Sequence, residues 1–203
     1  MFIIGLTGGI GSGKSSAANI LKELGLKIIE LDQITHNIMM AGEPGYIEIL
    51  KKFGDKYIDK NNVLDRKLLR DDIFSSIELK KRIESTLHPI IFEECEKQLN
   101  KLRNEKYIAL IIPLLFETKN YINLINESLL IDCDVKYQLK RVIKRDGVSK
   151  ALAIKIIENQ MSRDEKLLLA DKVILNDGNI DNLGTQLKKY LSLIHISEPT
   201  RPY

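Results

Sequence analysis

The sequence predicts an α/β protein built on a parallel β-sheet flanked by helices, and three observations predict it. Phe2–Leu6 is an apolar run, Thr7–Gly13 is a glycine-dense turn, and Ala17, Ile20, Leu21 and Leu24 then recur at helical spacing until Gly25. Lys27–Leu31 is a second short apolar run, so strand, helix and strand fall within about thirty residues, the βαβ unit of a parallel sheet. Similar runs return at Tyr107–Ile112, Ser128–Asp132 and Lys172–Leu175, with helical patterns between them.

The middle of the chain, roughly 33–104, reads differently. It is mostly helical, and its longest element carries Leu79, Ile83, Leu87, Ile91, Cys95 and Leu99 on one stripe repeating every four residues. Pro89 lies inside it and predicts a kink or break near His88. Phe53, Tyr57 and Phe74 are expected to form a small core of this insertion. A last helix over 179–191 shows Ile180, Leu183, Leu187 and Leu191 on one face. Ser192–Tyr203, reading SLIHISEPTRPY, abandons that period and resembles translated sequencing-adapter DNA. A non-native tail is expected there, with an ordinary proline-containing terminus as the alternative, and no function is assigned to His195 or Arg201.

Composition bounds what such a fold does. The chain has 203 residues, 44% of them hydrophobic, enough for one sizeable core. Lys and Arg number 31 against 28 Asp and Glu, a formal charge of +3. That balance argues against a dedicated nucleic-acid binder and suits an enzyme that handles polyphosphates. Cys95 and Cys133 lack CxxC spacing and read as reduced thiols of a cytoplasmic protein. Met1–Leu6 lacks a basic n-region and is too short to span a bilayer, so neither a signal nor a membrane anchor is expected.

Gly8-Gly9-Ile10-Gly11-Ser12-Gly13-Lys14-Ser15 satisfies G-x-x-x-x-G-K-[ST] between a strand and a helix, the context a phosphate-binding P-loop requires. Glycines permit positive φ and close approach, so successive N–H groups can surround a phosphate. The helix N-terminus behind them adds unpaired donors and positive partial charge. Lys14 supplies a charge to the β- and γ-phosphates, and the Ser15 hydroxyl suits Mg²⁺. The ligand class is a nucleoside triphosphate.

The guanine-reading N/T-K-x-D segment of a GTPase does not occur. A short chain with a helical insertion suits a small-molecule kinase, which encloses two substrates and excludes water. Asp32, at the carboxyl end of the second strand, is the candidate base for an acceptor hydroxyl. The alternative is that it caps the helix starting near Gln33. Glu30, two residues earlier, shares its face if the segment is extended. Lys140, Arg141, Lys144 and Arg145 form two basic rows, read either as a lid contributing arginine to the transferring phosphoryl group or as a solvated face. Arg163, Glu117 and His88 carry the same ambiguity between site and scaffold, and neither His36 nor His88 has metal-ligand spacing.

Taken in order, these segments resemble the dephospho-CoA kinase family over residues 1–191. The resemblance rests on Leu6–Ser15 (LTGGIGSGKS), Asp32, Leu87-His88-Pro89 and Pro113-Leu114-Leu115-Phe116-Glu117. It continues through Gln138-Leu139-Lys140-Arg141, Arg145-Asp146, Gln160 with Arg163, Ala170-Asp171 and Asn176-Asp177-Gly178. It implies a P-loop kinase fold that transfers phosphate from ATP to the ribose 3′-hydroxyl of dephospho-CoA, the last step of coenzyme A synthesis. It implies one domain, 1–191: a core of 1–32, 105–136 and 166–191, a helical acceptor-binding insertion at 33–104, and a lid at 137–165. Lys14, Asp32 and Arg141 would carry the chemistry. ATP would lie against Gly9, Gly11, Ser12, Gly13, Lys14, Ser15 and Ser16 with Arg141 and Arg145, and Ser15 would ligate Mg²⁺. Thr7, Asp32, His88, Glu117 and Arg163 would face the acceptor. No nucleic-acid or membrane partner is implied, and the chain is expected to be a monomer or weak homo-oligomer. Three positions depart from the family pattern: Ser16 for Thr, Glu30 for Asp and His36 for Arg.

Overall fold

The computed structural model describes residues 1–178 and 180–197. The expected core role of the Phe74 side chain, the side chain of His195, Arg201, and the tail past residue 197 lie outside the described residues. Five strands are present: β1 (Phe2–Thr7), β2 (Lys27–Glu30), β3 (Tyr107–Ile111), β4 (Glu127–Asp132) and β5 (Lys172–Leu175). They form one sheet in the order β2-β3-β1-β4-β5. β1 runs parallel to both β3 and β4, and β4 is parallel to β5. Leu6 pairs with Ile111 and Thr7 with Leu130, so the carboxyl ends of β1, β3 and β4 lie side by side where the glycine-rich turn begins.

Strand alternation builds the core. Ile4, Leu6, Ala109, Ile111, Leu129, Ile131 and Ile174 gather on one face with Ala17, Ala18 and Leu21 of α1 (Lys14–Glu23) and Leu183, Leu187 and Tyr190 of α10 (Ile180–Ser197). Burying each large aliphatic side chain contributes about 1.5–3 kcal/mol. The amphipathic period of α10 does not end at Leu191 as expected. Leu191 and Ile194 are both buried in this cluster, because they continue the row begun by Leu183 and Leu187, and the helix runs to Ser197.

Two compact units divide the chain: Met1–Ile29 with the chain from Asn104 onward, and Glu30–Arg103. The first holds the sheet with α1, α6 (Leu115–Thr118), α7 (Val135–Asp146), α8 (Lys150–Glu158), α9 (Arg163–Leu169) and α10. The second is helical: α2 (Leu31–Ile38), α3 (Pro44–Phe53), α4 (Arg66–Ser75) and α5 (Ile77–Lys101).

Within the helical unit the expected stripe is real. Ile83, Leu87, Ile91, Cys95 and Leu99 are all buried along α5, which packs on α2, α3 and α4. Tyr57 is fully buried and meets Phe53 edge-on at 6.0 Å. The expected break near His88 does not occur, and α5 is helical through Pro89. An interior proline costs about 3 kcal/mol. Five buried stripe residues at about 1.5–3 kcal/mol each outweigh that.

Candidate active site

The glycine-rich turn bridges the end of β1 and the start of α1, and glycine is demanded at both of its ends. Gly8 has φ 154°, and a Cβ there would collide with the Ile131 carbonyl and the Ser12 hydroxyl. Gly13 has φ 102°, and a Cβ would strike the Asn176 side chain. Gly13 is also the N-cap of α1 and has no side-chain cap, so the first-turn N–H groups of α1 receive no capping side chain. Ser12 is fully buried, and its hydroxyl oxygen has no hydrogen-bond partner among the described residues. Together these form a cradle of amide donors suited to an anion.

The carbonyl side of the turn is braced from outside. Arg141, on α7, donates through Nη1 to the carbonyls of Gly11 (3.1 Å) and Ser12 (3.2 Å), and through Nη2 to the Asn176 carbonyl (2.8 Å). Asn176, just past β5, donates its side-chain amide to the same Ser12 carbonyl at 2.7 Å. A trans peptide points its C=O and its N–H in opposite directions. Holding the Ser12 carbonyl therefore turns the Gly13 N–H the other way. Arg141 was expected to meet the transferring phosphoryl group, but here its guanidinium is engaged with backbone. Cys133 lies buried behind the turn, 3.9 Å from the Gly11 carbonyl, and burial pushes its thiol up to about 11. Both cysteines are free and buried.

Lys14 lays its ammonium on the carbonyls of Gly8 (2.5 Å) and Gly9 (3.1 Å), at the mouth of the turn. Ser15 is exposed and Ser16 half-buried in the first turn of α1. Thr7 is buried at the end of β1.

Two ion pairs fasten α9 beside the turn. Arg163 takes both carboxylate oxygens of Asp132, with Nη2–Oδ2 at 2.7 Å and Nε–Oδ1 at 3.0 Å. Asp132, at the carboxyl end of β4, is only 5% exposed. Lys166 is buried and sits 3.2 Å from Glu117 Oε1, which also accepts the Met161 N–H at 3.2 Å. Glu117 Oε2 has no hydrogen-bond partner among the described residues. A cavity of about 360 Å³ opens here, lined by Gly9, Asp132, Gln138, Gln160, Arg163 and Lys166 among others.

The structure therefore brings Thr7, the glycine-rich turn, Lys14, Ser15, Ser16, Arg141, Glu117 and Arg163 into one region of the sheet unit. Arg145 is not among them: it is exposed and paired with its neighbour Asp146 at 2.6 Å. The two basic rows of α7 thus separate, Arg141 turning to the loop while Lys140, Lys144 and Arg145 stay exposed.

Asp32 and His88 belong to the helical unit. β2 ends at Glu30, one residue sooner than expected, and α2 begins at Leu31 with Glu30 as its N-cap. Asp32 is thus not the cap. It is an exposed first-turn residue, where a negative charge complements the helix dipole. One turn later on α2, His36 is met by Arg66, which contacts its Nδ1 and donates to its carbonyl at 3.0 Å. His88 is half-buried on α5.

Asp132 and Lys166 escaped the sequence reading as site residues. The only signal for Asp132 was a carboxylate ending an otherwise apolar strand, and Lys166 gave none. Among the described residues no group of three or more His, Cys, Asp or Glu side chains could hold a metal.

The chain as a whole has counterparts. The family model for dephospho-CoA kinase matches residues 2–182. The chain is 38% identical to a dephospho-CoA kinase of Nitrosospira multiformis over 197 residues, covering 95% of this chain and 98% of that one. It is 41% identical to one of Acinetobacter baylyi, covering 92% and 95%. The solved dephospho-CoA kinase from Campylobacter jejuni superposes with a TM-score of 0.71 at 30% identity, covering 95% of this chain and 96% of that one.

Proposed function

The chain belongs to the dephospho-CoA kinase family, and from that premise we propose how its residues phosphorylate the ribose 3′-hydroxyl of dephospho-CoA with ATP to give coenzyme A and ADP. The observation that carries the proposal is the glycine-rich turn, where Arg141 and Asn176 hold the Ser12 carbonyl outward and so turn the Gly13 N–H inward. A backbone donor fixed this way is organised before the phosphate arrives.

ATP lies against Gly9, Gly11, Ser12, Gly13, Lys14, Ser15 and Ser16. Lys14 leaves its present carbonyl partners for the β- and γ-phosphates, an exchange of neutral acceptors for charged ones that favours the bound state. Arg141 acts as a positioning residue, through the peptides it braces. Arg145, paired with Asp146 on the exposed face of α7, joins the ATP contacts in the same proposal. The Asp32 carboxylate accepts the proton of the 3′-hydroxyl as that oxygen bonds to the γ-phosphorus. The bond from phosphorus to the β–γ bridging oxygen breaks, and ADP departs with that electron pair. Thr7, Glu117, Arg163 and His88 contact the acceptor.

The donor set fits Mg²⁺ of the kind kinases use. One hydroxyl, Ser15, is on offer, and no protein-only cage exists among the described residues. Mg²⁺ takes few protein oxygens and completes its shell with phosphate and water. When bound it supplies charge neutralisation of the phosphates. The two free, buried cysteines suit a reducing, cytoplasmic setting. No described helix is long and apolar enough to cross a membrane. Action as a monomer or weak homo-oligomer belongs to the same proposal.

A coupled ADP-release assay with ATP and Mg²⁺ tests the reading. Turnover should depend on dephospho-CoA and should not be supported by AMP. Equal turnover on AMP, or none on dephospho-CoA by folded protein, would overturn it.

A further inference from the structure

The crest of the glycine-rich turn is gripped by two amide side chains from distant parts of the chain. Gln160, between α8 and α9, accepts the Ile10 N–H through Oε1 at 2.9 Å. Gln138, near the start of α7 and buried, lies against Gly9, where a Cβ would come within 2.5 Å of its Nε2 and 3.7 Å of Gln160 Oε1. Gly9 is not among the positive-φ glycines. It is glycine for want of space: its neighbours are the two amides, and any side chain would displace them.

The chemistry of the two gripping residues is informative. A carboxylate at 160 could accept the same N–H in a stronger, charge-assisted bond. Glutamine makes the bond without the charge, next to donors arranged for a polyphosphate. Lys166 and Arg163, which line the same cavity, are already matched by Glu117 and Asp132. An added carboxylate would find no free partner in those two pairs and would repel the nucleotide.

We propose that Gln160 is a positioning residue for ATP: with Gln138 it seats the Gly9–Ile10 crest in its nucleotide-ready form, and its neutrality is set by the anion the loop receives. Because the two glutamines flank the α7–α8 helices, the same contacts tie both ends of that segment to the loop. The inference rests on reading the loop as the ATP site.

Three variants test it: Gln160→Met, which keeps length and loses the acceptor; Gln160→Glu, which keeps the acceptor and adds charge; and Gly9→Ala, which wedges the clamp. ATP and ADP affinities are measured by calorimetry, with both KM values and kcat from the ADP-release assay. Gln160→Met should weaken ATP by roughly three- to tenfold, the scale of one hydrogen bond, with KM for dephospho-CoA within about twofold. Gln160→Glu should weaken ATP further, more than it weakens ADP, and added salt should recover part of the loss. Gly9→Ala should resemble Gln160→Met.

Wild-type ATP affinity in both Gln160 variants would overturn the proposal. So would tighter ATP binding by the glutamate variant than by the methionine one. If the glutamate variant does not fold, Gln160→Met decides: an unchanged ATP KM, or equal rises in both KM values, rejects the positioning role. Failure of the kinase reading would appear separately, as wild-type protein that binds ATP without turning over dephospho-CoA.

Discussion

The sheet unit and the helical unit carry their functional groups in opposite ways. In the sheet unit nearly every polar group near the glycine-rich turn is fixed by another element: Arg141 from α7, Asn176 after β5, Gln160 before α9, and Asp132 paired to Arg163. In the helical unit stability comes from an apolar stripe along α5, and Asp32 and His36 sit on the exposed side of α2. The difference teaches where preorganisation is needed. A polyphosphate recurs in every turnover with the same shape and charge, so its donors can be locked in advance. A carboxylate proposed to take a proton from an incoming hydroxyl needs access to its substrate, and a helix surface gives that.

Substitutions that cross this divide should break or sharpen it. The largest effect is expected from Lys14→Ala, which removes the one loop side chain with a full positive charge. Turnover should fall by roughly a thousandfold or more, since phosphoryl transfer depends on such charge. Retained activity in a steady-state assay would mean that the loop is not where phosphate is handled.

Next comes Arg163→Leu. It leaves the buried Asp132 carboxylate without its partner, and unfolding in denaturant should show a loss of about 2–4 kcal/mol, discounted because Arg163 is partly exposed. A change below about 0.5 kcal/mol would show that the pair contributes little, as for surface pairs.

The smallest expected effect lies at the far end of the sheet. Asp171 accepts the Ser128 hydroxyl (2.6 Å) and N–H (2.8 Å), which hold its carboxyl below the usual range. A depressed carboxylate stabilises the fold above its unfolded value near 4, and that contribution is lost as pH falls through the folded value. Ser128→Ala should therefore cost about 0.5 kcal/mol at neutral pH, discounted because Asp171 is exposed, with the difference from wild type shrinking toward low pH. A difference that grew on acidification would reverse the sign of the linkage.

The sequence carried the parallel sheet, the helical insertion and the glycine-rich turn because each is written in contiguous residues or in a fixed period. What it hid depends on contacts across the chain. Gln160 lies 150 positions from Ile10, and Arg141 lies 130 from Gly11. No local pattern says that an arginine in a basic row turns inward to backbone while its neighbours stay in solvent. The Pro89 and α10 expectations failed for a related reason: local breaker and period signals were outweighed by burial of Leu87, Ile91 and Ile194. Asp32 was legible as a candidate, yet its place in the first turn of α2 came from where β2 stops.

The most direct test of the division between a preorganised nucleotide side and an exposed acceptor base is Asp32→Asn. ATP affinity by calorimetry and dephospho-CoA-dependent ADP release should be measured on the same folded preparation. Affinity should stay within about twofold of wild type while turnover falls by roughly a hundredfold or more, the loss expected on removing a general base. Unchanged turnover, or ATP binding lost together with activity, would contradict it.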